Sequence, residues 1–379
     1  MCTIVMGQSP EGASYNKDGI GVPLLNGPAE FGARYPTPVQ WTTDPARFAE
    51  PSDILLCVRG ATTGRRNIAD RRYCIGRGLA AIRGREQQTD TGFIWFAIEL
   101  VTGAILNQTS GSTFANLPGD KLARIEIPFP PLPEQRRIVA ALRELLGVAV
   151  RARAAVEAQI GMARALPAAY LREVFESEQA RGWPRRRLGE VSDLRPARTI
   201  ASDGDVEVTA VTTACLSELG FHPSGVKRAR MWSNTVSEAT LSAGEVLIAR
   251  SNTPDLVGRV SMFEGQPEGA VASDLTIRIM PHEPLQSSFL TAYLSYLYMT
   301  GYWKALAGGA SGSMKKITRR QVAGEEVPVP APVTQERVVS VLRARLSSAS
   351  ALQERLAMQK DGIGRLPPVL LRRAFRGEL

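Results

Sequence analysis

The sequence has little of the material from which metal sites and acid–base active sites are usually built. Its 379 residues include two histidines, His222 and His282, and four cysteines that form no CxxC pair. Such scattered cysteines argue against a disulfide framework or a zinc cluster and favour a reducing cytoplasm. No apolar stretch approaches 18 residues, and the N-terminus lacks a basic flank with an apolar run. The sequence therefore predicts neither a membrane helix nor a secretory signal.

Motifs of nucleotide binding and methyl transfer are also missing. The sequence contains no Gly-Lys dipeptide, hence no phosphate-binding GxxxxGK[ST] loop, and no Asn/Asp-Pro-Pro-aromatic tetrapeptide. Aromatic residues make up 6% of the chain, which disfavours a protein that binds single-stranded nucleic acid by stacking. Together with the scarcity of histidine, these absences argue against acid–base catalysis by this chain.

Arginine, by contrast, is abundant. Lys and Arg total 46 against 37 Asp and Glu, a formal charge of +9, and seven of the 46 are Lys. The planar guanidinium group suits phosphate and the guanine edge better than an ammonium group does. Nucleic acid is therefore the first partner that the composition indicates.

The sequence contains an internal repeat at an offset of 200 residues. Residues 127–142, IPFPPLPEQRRIVAAL, align without a gap against 327–342, VPVPAPVTQERVVSVL. The same offset pairs LPAAYLREVF at 166–175 with LPPVLLRRAF at 366–375. Because the register is kept over about fifty residues, the repeat indicates a rigid element whose length matters.

Between these anchors, apolar residues recur in alternating steps of four and three, as in a heptad seam. The predicted seam residues are Ile138, Leu142, Leu145 and Val156 in the first copy and Val338, Leu342, Leu352 and Leu356 in the second. Gln159 and Gln359 occupy equivalent seam positions, where a polar residue can fix the register. Some 30 residues of helix would span roughly 45–50 Å. We expect two helices that pair as an antiparallel coiled coil; the alternative is that each helix packs on its own domain.

The segments before the two helices are rich in Gly, Pro and Thr and contain short apolar runs that predict strands. Residues 53–58 and 245–249 are such runs, and each is followed by Arg and small polar residues. A Ser-Gly-Ser motif recurs at 110–112 and 311–313. The two segments are otherwise dissimilar, so the chain is organised as domain, helix, domain, helix.

These features resemble the specificity subunits of type I restriction–modification systems. The resemblance covers nearly the whole chain, and its strongest motifs are PPLPEQRRI at 130–138 and LRRAFRGEL at 371–379. GQSP at 7–10 and GVP at 21–23 are similar to the start of a target recognition domain in that family. WPRRRLGEV at 183–191 opens the second domain in the usual way. The first domain has no counterpart of it, so we expect that its opening segment is missing or trimmed.

The resemblance implies an α+β fold with a pseudo-twofold repeat. Two α/β target recognition domains would be separated by two long helices paired as an antiparallel coiled coil. The expected ranges are 1–126 for the first recognition domain, 127–182 for the central helical spacer, 183–326 for the second recognition domain and 327–379 for the C-terminal helical spacer.

The resemblance also implies a function for the chain and a set of partners. The chain would be a non-catalytic subunit that reads a bipartite site on double-stranded DNA, non-palindromic because the two domains differ in sequence. Its helices would dock two methyltransferase subunits, which would carry S-adenosylmethionine, and restriction or translocase subunits would join the complex. We expect no cofactor in this chain, no membrane association and a cytoplasmic location.

Three basic clusters fall in predicted loops of the two domains. The predicted DNA-binding residues are Arg59, Thr62, Thr63, Arg65, Arg66, Asn67, Lys227, Arg228, Arg230, Arg250, Asn252, Lys315, Lys316, Arg319 and Arg320. We expect Arg59, Asn67, Arg250 and Asn252 to read bases, because Arg suits guanine and Asn suits adenine. The basic residues of 315–320 fit contacts with the DNA backbone better. The alternative for each cluster is a solvated face. For the arginines at 185–187, docking to a partner is as good an interpretation as DNA.

Two other functions compete with the DNA-recognition subunit. The first is a stand-alone DNA-binding regulator that uses the repeat as a pseudo-dimer, and the second is an enzyme of unrecognised type. A lone regulator needs no partner-docking surface on a long pair of helices, so co-purification with a methyltransferase separates the first two functions. Absence of turnover of DNA and of cofactor binding in the isolated chain would exclude the enzyme.

Overall fold

The computed structural model describes residues 2–108, 116–195, 198, 200, 203–217, 220–309 and 314–379, without the side chains of 102–108. The Ser-Gly-Ser motifs lie outside these residues. The chain divides into two compact units: unit 1 is Met1–Ala155 with Lys360–Leu379, and unit 2 is Val156–Gln359. Each unit therefore combines one globular domain with part of both predicted helical regions.

The elements as far as the end of the first long helix begin with a series of short strands. The strands are β1 Cys2–Met6, β2 Tyr15–Asn16, β3 Val22–Leu25, β4 Gln40–Thr42, β5 Phe48–Ala49, β6 Ile54–Cys57, β7 Arg66–Ile68, β8 Tyr73–Ile75 and β9 Leu79–Gly84. The helices are α1 Thr91–Gln108, α2 Gly119–Ala123 and α3 Leu132–Phe175.

The remaining elements repeat this order of strands before helices. The strands are β10 Arg185–Arg187, β11 Ser192–Arg195, β12 Val206–Val211, β13 Leu216–Ser217, β14 Gly220–Phe221, β15 Lys227–Met231, β16 Val246–Ala249, β17 Ser251–Asn252, β18 Val260–Met262, β19 Val271–Ala272, β20 Thr276–Pro281, β21 Lys315–Lys316 and β22 Glu326–Pro328. The helices are α4 Glu178–Arg181, α5 Ser233–Ala239, α6 Ser287–Met299, α7 Tyr302–Leu306, α8 Arg319–Ala323, α9 Pro332–Gly364 and α10 Leu366–Phe375.

The two globular domains share one topology although their sequences do not align. Each has a four-stranded antiparallel sheet, in the order β1-β9-β6-β7 in unit 1 and β11-β20-β16-β18 in unit 2. In a second sheet of each unit, one strand pairs parallel on one side and antiparallel on the other: β3 with β8 and β4, and β12 with β19 and β15. The repeat therefore extends from the helices to the domains.

A helix covers the four-stranded sheet of each unit and meets the long helices there. In unit 1, Phe93 of α1 lies in one core cluster with Ile138 and Leu142 of α3 and Phe375 of α10. In unit 2, Phe289 of α6 lies in a cluster with Val338 and Leu342 of α9 and with Phe175.

The sequence left two arrangements open for the long helices, namely pairing with each other and packing on their own domains. Both arrangements occur within the units. The beginning of each long helix packs on its own domain through the clusters just described. In unit 2 the helices also pair antiparallel, since Arg345 binds Glu173 at 2.7 Å and the Gln353 amide donates to the Ala163 carbonyl at 3.0 Å. In unit 1 the Arg137 guanidinium donates to the carbonyl of Leu379 at 2.9 Å.

Helix α3 is longer than the 30 residues expected. It runs for 44 residues and continues through Pro167, which can remove one backbone hydrogen bond. The second copy has two consecutive prolines, at 367 and 368, and here the helix ends at Gly364 after 33 residues before α10 begins at Leu366. One proline is thus accommodated inside a helix, whereas two in succession lie at the start of a new one.

The predicted seam needs corrections at three positions. Ile138, Leu142, Val156, Val338, Leu342 and Leu356 are buried, and Leu352 is half-buried. Leu145, in contrast, is 37% exposed, and Leu146 packs against the core cluster in its place. Gln159 and Gln359 are exposed, so they do not hold the register from inside a seam.

Each of the two long helices, α3 and α9, has a buried glutamine close to its first residue. Gln335, which is 0% exposed, donates from Nε2 to the carbonyls of Pro284 and Pro330 at 2.9 and 2.8 Å. Its Oε1 accepts from the backbone N–H of Gln286 at 2.9 Å. One side chain thus joins the start of α9, the proline segment before it and the start of α6.

The same arrangement occurs in unit 1. Gln135, also 0% exposed, donates to the carbonyls of Gln88 and Pro130 at 3.0 and 2.9 Å, and it accepts from the N–H of Asp90 at 2.9 Å. Gln135 and Gln335 are matched by the 200-residue repeat, so the repeated residue has a repeated structural role.

Candidate nucleic-acid interface

In each unit, a hairpin loop follows a central strand of the four-stranded sheet, β6 in unit 1 and β16 in unit 2. An arginine lies at the start of each loop. In unit 1 the loop joins β6 to β7 and is closed by hydrogen bonds between Cys57 and residues 64 and 65 at 2.8–2.9 Å. In unit 2 the loop joins β16 to β18 and is closed between Ala249 and residues 258 and 259, both at 2.8 Å. Gly258 has a φ of +81°, and a Cβ there would lie 2.3 Å from Trp303, so this turn requires glycine.

Arg59 and Arg65 are exposed on the loop of unit 1. Neither side chain forms an ion pair or hydrogen bond with another residue in the described part of the chain. Asn116 pairs with Arg59 through the backbone and is exposed as well. Asn116 was missed by the sequence reasoning, although the 200-residue offset equates it with Lys316, a predicted site residue.

Arg66, by contrast, is held inside the domain. Its guanidinium binds Glu99 at 3.0 Å, donates to the Trp95 carbonyl at 2.8 Å and lies 4.7 Å from the centre of the Trp95 ring. Burial lowers the pKa of Arg66, and the charge of Glu99 opposes that shift. Its side chain is 12% exposed, so the geometry gives it a structural role in place of the predicted DNA contact.

Three more predicted residues of this cluster also make contacts within the domain. The Asn67 amide donates to the Gly32 carbonyl at 2.9 Å, and the residue is 2% exposed. The Thr63 hydroxyl donates to the Gly60 carbonyl at 2.8 Å and is buried, while the Thr62 hydroxyl contacts the Cys57 thiol at 3.3 Å. In this fold Asn67 does not present its amide to a base.

In unit 2, strand pairing brings together two clusters that are more than sixty residues apart in sequence. Strands β17 and β21 pair antiparallel, with Asn252 opposite Lys315 and Ser251 opposite Lys316. The Arg250 carbonyl accepts from the N–H of Ile317 at 2.9 Å. The Asn252 side-chain oxygen accepts from its neighbour Thr253, so the side-chain orientation is set locally.

The cluster continues into the one-turn helix α8. Thr318 caps this helix through a capping box with Gln321, which fixes the backbone that carries Arg319 and Arg320. Both arginines are exposed. We call Arg250, Lys315, Lys316, Arg319 and Arg320 the basic cluster of unit 2. Among the residues that the structure describes, none of these five side chains has an ion-pair partner.

The third predicted cluster lies on β15, an edge strand of another sheet. Arg228 forms an exposed ion pair with Glu207 at 3.3 Å, and the Arg230 guanidinium donates to the Gly204 carbonyl at 2.7 Å. Lys227 is exposed. This strand therefore presents one lysine without a partner in the described ranges and two arginines that are already engaged.

These surfaces present the positively charged side chains of arginine and lysine, which can contact negatively charged groups. Arginine and lysine side chains without partners can neutralise phosphate charge, and arginine can also read guanine. The described residues contain no group of His, Cys, Asp or Glu that could hold a metal ion. None of the described helices is long and apolar enough to cross a membrane.

Comparisons with known proteins point in one direction. Residues 40–160 match the family "Type I restriction modification DNA specificity domain". A curated protein of Methanocaldococcus jannaschii, the "Putative type I restriction enzyme MjaX specificity subunit", is 42% identical over 142 residues. That match covers 38% of this chain and 33% of the relative, so the chain spans about a third of the relative's length.

Two solved structures share the fold over the full length of the chain. The "HsdS subunit from Thermoanaerobacter tengcongensis" is 19% identical, with a TM-score of 0.64 and coverage of 100% of this chain and 97% of that one. A chain from a study of "complex assembly" and "conformational transition of the type I R-M system" is 18% identical, with a TM-score of 0.72 and coverage of 100% and 98%. These likenesses support the predicted architecture of two like domains with two long helices.

Proposed function

We propose that this chain, whose residues 40–160 belong to the type I restriction–modification specificity domains, is a non-catalytic subunit that recognises double-stranded DNA. The observation that carries the proposal is the repeated position of exposed, unpartnered basic side chains in the described ranges. Arg59 and Arg65 lie on the hairpin loop of unit 1, and Arg250 begins the equivalent loop of unit 2, while the other residues of the basic cluster of unit 2 lie on β21 and α8. The two domains that carry these side chains share one topology and have unlike sequences. Two domains with the same topology but different loop sequences can each bind a different half of one DNA site.

Two roles can be distinguished within the basic cluster of unit 2. Lysines contact phosphate as point charges, so Lys315 and Lys316 supply affinity that depends on salt but not on base sequence. Arg250, at the end of a central strand, is our candidate for reading guanine. Arg59, which is exposed on the hairpin loop of unit 1, is our candidate there, although the backbone pairing matches it with Ser251 and matches Val58 with Arg250. The proposal leaves out Thr63, Arg66 and Asn67, whose polar groups are used inside the domain.

The long helices offer a surface for partner subunits. Large apolar side chains are exposed on α3 and α9, among them Val148, Val150, Met162, Val341 and Met358 at 42–69% exposure. Exposed apolar side chains on a helix face support a protein interface more than a role in DNA binding. We propose that methyltransferase subunits, two per chain, dock on these helices and carry S-adenosylmethionine, with restriction subunits joining in the cytoplasm.

The first experiment maps methylated bases in DNA from cells that express the chain together with its methyltransferase. We expect one motif with two unlike halves separated by unread bases. A single palindromic motif that depends on this chain would refute the assignment of one half-site to each domain.

The second experiment measures DNA affinity of the assembled complex as a function of salt concentration. If Lys315 and Lys316 each contact one phosphate, replacing both with Gln reduces the slope of log K against log salt by about 1.8. Arg355→Gln, an exposed arginine on α9, is the matched control and leaves the slope unchanged. Equal losses per removed charge in the two variants would assign the effect to net charge instead of to the cluster.

Co-purification separates our proposal from the stand-alone regulator. Val150→Glu and Met358→Glu place charge on exposed helix positions and are expected to weaken capture of the methyltransferase without lowering the melting temperature. A chain that binds its DNA site equally well with no methyltransferase present would favour the regulator.

A further inference from the structure

A three-residue turn joins the second sheet to the four-stranded sheet in each unit. In unit 1 it comprises residues 76–78, Gly-Arg-Gly, between β8 and β9, and in unit 2 residues 273–275, Ser-Asp-Leu, between β19 and β20. In both units the N–H of the residue after the turn donates to the carbonyl of its first residue, at 3.0 Å in unit 1 and 3.1 Å in unit 2. The two turns are therefore equivalent positions of the shared topology.

Each turn lies beside the residue that opens the hairpin loop. The Gly78 carbonyl accepts from the N–H of Val58 at 2.9 Å. In the same way, the Leu275 carbonyl accepts from the N–H of Arg250 at 2.8 Å. Paired backbones lie about 4.8 Å apart, which is less than two base-pair steps of about 3.4 Å each. A side chain on this turn can thus reach a base pair within about two steps of the pair that the loop arginine contacts.

The turn of unit 2 exposes a leucine. Leu275 is 41% exposed, and its carbonyl also accepts from the N–H of Ser251 at 3.4 Å. The hydroxyl of Thr276, which is 1% exposed, donates to the Ser273 carbonyl at 2.8 Å and fixes the turn from below. The leucine is therefore held in solvent on a well-bonded turn, next to Arg250 of the basic cluster. In the major groove, apolar side chains contact the C5-methyl group of thymine.

The turn of unit 1 presents an arginine at the same place. Gly78 cannot carry a side chain here, because a Cβ would lie 2.6 Å from the Asn26 carbonyl oxygen. The residue before it, Arg77, is exposed. Its side chain has no ion-pair or hydrogen-bond partner among the residues that the structure describes. Arginine suits the guanine edge, so the two turns differ in the base that they can contact.

The GQSP motif at 7–10 holds the backbone that carries Arg77. The Ser9 hydroxyl accepts from the N–H of Arg77 at 3.2 Å. A Cβ on Gly7 would lie 2.2 Å from the Gly76 carbonyl oxygen, so glycine is required for this close approach. The motif therefore has a positioning role at the turn.

We propose that this turn is a second base-reading element in each domain. Leu275 contacts the C5-methyl group of a thymine in one half-site, and Arg77 contacts a guanine in the other. Asp274 takes the place of Arg77 in unit 2, and phosphate repels a carboxylate, which favours base edges over the DNA backbone as the target of this turn. The inference rests on the proposed DNA-recognition function and adds two residues and two base identities to it.

The first experiment removes single methyl groups from the DNA. Each thymine of the mapped site, on both strands, is replaced in turn by deoxyuridine, and the affinity of the assembled complex is measured. At one position, within about two base pairs of the pair whose recognition changes with Arg250→Ala, the replacement should weaken binding about fourfold, the effect of one buried methyl group.

Variants of Leu275 connect this effect to the turn. Leu275→Ala should weaken binding to the thymine DNA to a similar extent, and the deoxyuridine replacement should then have no further effect. Leu275→Met keeps an apolar side chain and should retain the sensitivity to deoxyuridine. The Leu275 contact is overturned if Leu275→Ala removes the effect of deoxyuridine at no position of the site.

The second experiment concerns unit 1. Arg77→Ala should reduce discrimination at one G·C pair of the other half-site about tenfold or more, with the remaining positions unchanged. Arg355→Ala, which removes an exposed arginine from α9, is the matched control and should change discrimination nowhere. If Arg77→Ala weakened binding to all sequences equally and reduced the salt slope by about 0.9, Arg77 would contact phosphate, and base reading by this turn would be wrong in unit 1.

The outcomes separate this inference from the function on which it rests. If the complex binds a specific site and Arg250→Ala relaxes its recognition, but neither Leu275 nor Arg77 affects discrimination, this inference is overturned and the proposed function stands. A complex with no preference for any DNA sequence would overturn both.

Discussion

The buried glutamine at the start of α9 offers a sharp test of how the helix is attached to its domain. Gln335→Ala removes one accepted and two donated hydrogen bonds at 2.8–2.9 Å from a residue that is 0% exposed. The N–H of Gln286 and the carbonyls of Pro284 and Pro330 lose a partner that no remaining side chain replaces. Each buried polar group left unsatisfied costs about 1–3 kcal/mol. Allowing for local relaxation, we expect unit 2 to lose about 3–5 kcal/mol of its free energy of unfolding.

The matched control lies on the same helix. Gln353 makes one hydrogen bond, to the Ala163 carbonyl at 3.0 Å, and is half-buried. Gln353→Ala should therefore cost about 0.5–1.5 kcal/mol. Because the chain has two units, a single global transition does not give these values. Hydrogen exchange monitored at the Gln286 amide reports on the region in question.

The outcome is decided by comparison of the two variants. Gln335→Ala should accelerate exchange of the Gln286 amide by a factor of 100 or more, on the order of 3 kcal/mol, and Gln353→Ala should leave it nearly unchanged. The equivalent substitution Gln135→Ala should act on the Asp90 amide in unit 1. Similar small effects of Gln335→Ala and Gln353→Ala would show that the buried hydrogen bonds do not secure the helix, and the reasoning would be wrong.

Three further predictions concern unit 2. Leu342→Asp places a charge in a core where the residue is 2% exposed, and we expect a loss of several kcal/mol in the hydrogen-exchange stability of the core amides of unit 2; wild-type-like exchange would contradict the observed packing. Glu245→Ala leaves Arg278 as an uncompensated charge that is 1% exposed, so its cost should be about 3–5 kcal/mol by the same assay. The hydrogen bond from Tyr302 to Glu325 raises the pKa of Tyr302 to about 12, so the free energy of unfolding should fall as the pH rises from 10 to 12. Tyr302→Phe should reduce that fall. A pH profile that is unchanged in the variant would show that this hydrogen bond does not contribute to it.

An exposed ion pair supplies the control for the buried one. Arg228 and Glu207 are 88% and 60% exposed and lie 3.3 Å apart. Glu207→Ala should cost less than about 1 kcal/mol, because water and salt screen such pairs. If it destabilised the chain as much as Glu245→Ala, burial would not be the cause of the larger effect.

The heptad pattern of the sequence predicts the long helices but not every residue that packs. A strict heptad places Leu145 in the seam, yet Leu145 is exposed while Leu146 packs. At this end of α3 the apolar stripe serves the domain helix α1 as well as α10, and a stripe that faces a globular core follows the 3.6-residue period of an ordinary helix. The identity of the packing partner is a tertiary property.

The sequence by itself determined the elements whose information is local or repeated. The 200-residue offset located the long helices, and their proline-rich starts follow from the backbone limits of proline. Apolar runs located the central strands of both domains, and the arginines at their ends could be counted directly. The scarcity of histidine and the excess of arginine were enough to favour recognition over catalysis.

The tertiary structure alone decided which of the predicted polar residues remain accessible and which residues meet. In the three-residue strand β7, strand alternation turns Asn67 inward, and Arg66 finds Glu99 more than thirty residues away. The pairing of β17 with β21 joins Asn252 and Lys315 across a separation that has no sequence signal. The common sheet order of the two domains could not be predicted from the sequence either. Topology depends on which strands exchange backbone hydrogen bonds, and the backbone groups are the same in every sequence.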